Sequence, residues 1–78
     1  MSVQTIANEY REKVEFARKN GFKDSDILGE LRKERVTILK DTKPFHADKM
    51  DRITAVNLWQ NSIDAIDVVI QELEGGTK

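Results

Sequence analysis

The chain is 78 residues long, contains no cysteine, and devotes 35% of its residues to charged side chains whose formal sum is only −1. That length holds one domain with a small core, and the missing cysteines exclude disulfides, thiolate metal sites and cysteine nucleophiles. The balanced charge excludes the massed basic surface of a dedicated nucleic-acid or membrane binder. The opening MSVQTIANEYREKV lacks the basic and apolar regions of a signal peptide, and no apolar run reaches membrane-spanning length, so a cytoplasmic protein is expected.

Val3, Ile6, Tyr10, Val14 and Ala17 fall at helical spacing after the N-cap candidate Ser2, which predicts a first helix over about residues 3–19. Asn20-Gly21 ends it with a left-handed cap, and Phe22 at the second position beyond is expected to fold back onto Phe16. Asp24 and Ser25 are N-cap residues and Asp26 adds first-turn charge, so a second helix is expected over about 25–40. Its stripe is Ile27, Leu28, Leu31, Ile38 and Leu39, interrupted by RKER at 32–35, where Glu34 or Arg35 must lie near the buried face. Long charged side chains can bury their stems there and still reach water.

The turn formers of KDTKPF, with the only proline at 44, stop the second helix and start a third over about 46–73. Met50, Ile53, Val56, Trp59, Ile63, Ile66, Ile70 and Leu73 form its seam, and the last six keep the 3-4 spacing of a coiled coil. Leu58, Ala65 and Val68 lie off that seam, so two helices covering different sides, or self-association through this helix, are the two expectations. The predicted fold is all-α: a single three-helix domain, two shorter helices on one long C-terminal helix, with a flexible tail from about residue 74.

Catalytic chemistry is not expected. His46 is the only histidine, so no two-histidine metal spacing exists, and it is expected to face solvent. Ser2, Ser25 and Ser62 have no matched base. Glu9 with Glu12 and Asp64 with Asp67 share helical neighbourhoods, which solvated helix faces explain. Gly21, Gly29 and Gly75-Gly76 make no phosphate loop. The chain is read as a non-enzyme without catalytic, metal or cofactor residues.

ARKNGFKDSDIL, residues 17–28, matches the skeleton of a helix-turn-helix through Ala17, Gly21 and Ile27. The groove-facing positions would be Lys23, Asp24, Ser25, Leu28, Gly29 and Arg32, and an Asp, a Leu and a Gly read bases poorly. DNA binding is accordingly the third reading. Residues 18–52 carry ten basic and seven acidic side chains, whereas beyond Arg52 stand Asp64, Asp67, Glu72 and Glu74 against Lys78 alone. Such asymmetry predicts antiparallel pairing of chains or complementarity to a partner.

The leading expectation is a small helical protein that docks on another protein to regulate or inhibit it, through Arg32, Lys33 and Arg35 with Phe45 and Leu58 as apolar anchors. Trp59 is assigned to the core. The alternative is an oligomer that sequesters a small anionic ligand such as a nucleotide, with Tyr10 stacking on a base and Lys13 meeting a phosphate. That alternative resembles phage nucleotide sponges in size and helix content only. The closing LEGGTK can be encoded by a purine-rich ribosome-binding sequence that overlaps a following start codon, which suggests a bacterial or phage operon.

Overall fold

The structure, a computed structural model, describes residues 2–76. Three helices follow in order, α1 (Val3–Lys19), α2 (Asp24–Lys40) and α3 (Lys49–Gly76), with a 3-10 turn at Lys43–His46 before the last. Ser2 caps α1 as its position predicts, its Oγ accepting the Thr5 amide at 3.2 Å. Gly21 takes the left-handed conformation, φ 87°, and the Phe22 amide donates to the Ala17 carbonyl at 3.1 Å. A side chain at Gly21 would therefore strain the turn.

Three local expectations are corrected. Phe22 does not close over Phe16: Phe16 faces solvent among Asn8, Arg11 and Lys19, whereas Phe22 lies over the α1–α2 side. The N-cap of α2 is Lys23, without a side-chain cap, because Asp24 turns back to Arg18. Pro44 starts a 3-10 turn and not α3; the extended Ala47 breaks that turn, and α3 begins where the Asp48 carbonyl accepts the Arg52 amide. At its other end α3 continues through Gly76, past the expected stop at 73, and Thr77 and Lys78 of the expected tail lie outside the described residues.

α2 runs antiparallel to α3, since Arg32 meets Glu74, Arg35 meets Asp67 and the Trp59 indole meets the Ile38 carbonyl. The tight turn at 20–23 reverses the chain, so α1 runs parallel to α3, with Arg11 on Glu72. The 28 residues of α3 extend for about 42 Å at about 1.5 Å per residue, which accounts for a molecule 44 Å long and 22 by 21 Å across. α1 is shorter, and counting back from its contacts with Val69 and Glu72 it gives out at roughly residues 60–64 of α3.

The core sits where all three helices run together. Ile6, Ala7, Tyr10 and Val14 of α1 and Ile27, Leu28 and Leu31 of α2 close on Ala65, Ile66, Val69, Ile70 and Leu73. Ile66 is fully buried and Val69 is 2% exposed; each such side chain contributes about 1.5–3 kcal/mol by leaving water. Two faces of α3 are thus apolar because α1 and α2 cover different sides of it. The first half of the predicted seam does not enter the core: Met50 is 84% and Ile53 66% exposed, and Leu39 of α2 also faces outward. Among the described residues no helix is long and apolar enough to cross a membrane.

Candidate functional site

α1 and α2 each rest on α3 and leave a groove between them, of about 550 Å³. Its apolar surface comes from Tyr10, Val14 and Ala17 on α1, Ile27 and Leu31 on α2, and Phe22 in the turn. Phe22, 58% exposed, stands at the end of this groove with its ring in water. Lys13, Asp26, Glu30, Lys33 and Glu34 complete the lining, two cations against three carboxylates.

Tyr10 is fixed in this lining. Its hydroxyl donates to Glu34 Oε1 at 3.2 Å, and Lys13 Nζ lies 5.1 Å from the ring centroid, a cation–π distance. The ring is only 7% exposed. Burial first, then the Glu34 and Glu9 carboxylates, push its pKa up to about 12. The structure thus brings Tyr10 and Lys13 together, as their spacing predicts, but one ring face already carries Lys13 and little of the rest is open to a base.

Gly29 is the member of this groove that sequence reasoning passed over. It occupies the interior of α2 with ordinary helical φ, and a Cβ placed on it would meet nothing within 4 Å. Neither backbone conformation nor packing inside the monomer requires glycine there, although glycine costs an exposed helix about 0.5–1 kcal/mol relative to alanine. The signal available from sequence was a lone glycine inside an otherwise regular helix, which carries a packing or functional reason only once its surroundings are known.

The RKER segment divides among different neighbours. Arg32 Nη2 donates to Glu74 Oε1 at 2.8 Å, and Arg35 Nε donates to Asp67 Oδ1 at 2.6 Å. Lys33 lies 3.6 Å from Glu30 and points to the α1–α2 groove. Of the two residues that had to approach the buried face, Glu34 reaches Tyr10 and Arg35 is half-buried against α3. The basic middle and the acidic end of the chain therefore meet within one molecule, so the charge asymmetry finds its partner in the fold itself. Arg11 adds a bidentate pair to Glu72 at 2.9 and 2.6 Å, and its hydrogen bonds hold the Glu72 pKa below the ordinary carboxylate range. Arg18 does the same for Asp24.

The remaining predicted anchors lie at the opposite end. Phe45 packs edge-on to Trp59, ring centroids 5.1 Å apart, and Leu58 lines a second groove between the end of α2 and the first half of α3. Trp59 is half-buried, its Nε1 donating to the Ile38 carbonyl at 2.7 Å, and so closes the last turn of α2 as well as filling the seam. The five predicted docking residues accordingly belong to separate places: Lys33 to the α1–α2 groove, Arg32 and Arg35 to the α2–α3 ion pairs, Phe45 and Leu58 to the far end. His46 is exposed in the 3-10 turn.

The positions of the helix-turn-helix reading are largely engaged. Asp24 is held by Arg18, Leu28 is buried and Arg32 is paired with Glu74. Compared with protein-family models, curated proteins and solved structures, the chain matches none of them.

Proposed function

We propose that the chain is a non-enzymatic binding protein that regulates or inhibits another protein by taking an amphipathic helix of that partner into the α1–α2 groove. The observation that carries this reading is Gly29. A helix-interior glycine with open space in place of its Cβ lets a second backbone approach α2 closely, beside an apolar strip that includes the exposed ring of Phe22. Apolar contacts at helical spacing with charged residues on both rims are the features that helix-in-groove recognition uses. Mixed rim charge from Lys13, Lys33, Asp26, Glu30 and Glu34 suits a partner helix with both signs along its edges.

A small anionic ligand is the alternative, because Lys13 and Lys33 share the groove with Tyr10. The surplus of carboxylates around those cations and the small open area of the Tyr10 ring weigh against it. In either case the working site is the groove and not the RKER segment as a unit.

The test is a displayed library of amphipathic helical peptides panned on the wild-type protein, with binders mapped by amide shifts in NMR spectra. The reading expects shifts confined to the α1–α2 groove. It also expects Gly29→Ala to raise stability by about 0.5–1 kcal/mol, since the site is open and alanine favours helix, yet to weaken binding; Gly29→Leu should abolish it. Binders that map elsewhere, or that tolerate Gly29→Leu, overturn the proposal. A nucleotide that raises the unfolding temperature and shifts Tyr10 and Lys13 would favour the ligand reading instead.

A further inference from the structure

Ala55, Leu58, Ser62, Ala65 and Val69 recur on α3 at steps of three and four and so share one face. α1 covers the later part of that face, where Ala65 and Val69 are buried. Beyond the start of α1 the same face continues uncovered as the floor of a groove of about 710 Å³, with Ile38 and Lys40 of α2 and Lys43 and Pro44 of the 3-10 turn as its other wall. A helical track that α1 fills at one end of the molecule is left vacant at the other.

We propose that a second copy of this chain fills that track, the Asp51–Ser62 face of its α3 lying in the groove of the first copy and the reverse. Charge complementarity selects this occupant. Asp51 stands four residues before Ala55 on the same face, while Lys40 and Lys43 line the opposite wall. Among the described residues, none of these three side chains takes part in an ion pair; all six pairs lie within residues 11–35 and 67–74. Asp41, which also lines the groove, is engaged by the Lys43 amide of its own turn at 3.1 Å. Under a two-fold axis close to Leu58, Lys40 and Lys43 of each copy face Asp51 of the other, and the exposed Leu58 side chains pack on one another. A patch that holds an apolar centre and both signs of charge is complementary to itself, as an isologous interface requires.

The interface is separate from the α1–α2 groove, and its test does not depend on peptide binding. Light scattering from micromolar to millimolar protein should show the mass rising toward twice the 9.0 kDa of one chain. Leu58→Glu should leave a monomer with an unchanged far-ultraviolet circular dichroism spectrum and unaltered binding in the α1–α2 groove. Asp51→Lys alone, and Lys40→Glu with Lys43→Glu alone, should each abolish the dimer, because every cross-copy pair then joins like charges. Mixed in equal amounts, those two variants should form a heterodimer, since both sets of contacts again join opposite charges. A wild-type monomer at millimolar concentration, or a mixture no more associated than its components, overturns the proposal.

Discussion

At one end of α3 three helices run together, Ile66 is fully buried and ion pairs tie α3 to both neighbours; at the other, α3 has only the end of α2 and a 3-10 turn beside it, and Met50 and Ile53 stand in water. The two halves belong to the same helix and carry apolar residues at similar frequency. What separates them is length: α1 has 17 residues and α3 has 28. At about 1.5 Å per residue the shorter helix cannot follow the longer one to its start. An apolar side chain on a helix is thus a core residue only where a neighbour reaches it.

The sharpest way to break this comparison is a pair of truncations on α3. Ile66→Ala removes a fully buried side chain and should cost about 2–5 kcal/mol in urea unfolding. Ile53→Ala, on the exposed stretch, should stay within about 0.5 kcal/mol at dilute protein. Equal costs would show that the N-terminal half of α3 is packed after all. A smaller effect is expected at the boundary, where Trp59→Phe keeps the edge-on contact with Phe45 and deletes the 2.7 Å bond to the Ile38 carbonyl. Its cost should be about 1 kcal/mol, with loss of amide protection in the last turn of α2 and not in α1.

The third prediction is read as a slope against pH. Tyr10 is the only tyrosine, and its pKa is raised from the ordinary 10.0 to about 12. Below pH 10 the phenol is protonated in both folded and unfolded chains and contributes no pH dependence. Between 10 and about 12 the unfolded chain has lost a proton that the folded one keeps, so stability falls as pH rises through that window. Absorbance of the ionised phenol should therefore appear late, and Tyr10→Phe should remove this part of the alkaline decline. Titration of Tyr10 at its ordinary value would mean that the α1–α2 end is looser than its packing implies.

Residues with strong local physics were legible before any coordinates. Ser2 caps α1, Asn20-Gly21 ends it, and Ile6, Tyr10 and Val14 are buried as their spacing predicts. Pro44 was correctly placed as a break, but its consequence was misread, because a proline that opens a helical turn does not specify whether that turn continues. Asp24 was read as a cap on the strength of its type; the Arg18 guanidinium nearby offered it a charged partner instead. Phe22 was assigned to Phe16 by a rule for the end of one helix, whereas the open side of a second helix decided where its ring lies.

The candidate site was legible only in fragments. Tyr10 and Lys13 were paired through spacing on one helix, and Lys33 was singled out through its charge, but their common groove arises from two helices that meet only in three dimensions. Gly29 carried no meaning until the space around it was known. The asymmetry between a basic middle and an acidic end was visible in the sequence, yet its partner was not, since Arg32 with Glu74 and Arg35 with Asp67 are contacts across 42 and 32 residues.

By itself the sequence determined three helices, their caps and the apolar faces of each, because those follow from interactions within a few residues along the chain. Only the tertiary structure decided which apolar residues are core, which charges are spent within the molecule and where the grooves lie, because each of those depends on how far one helix reaches along another.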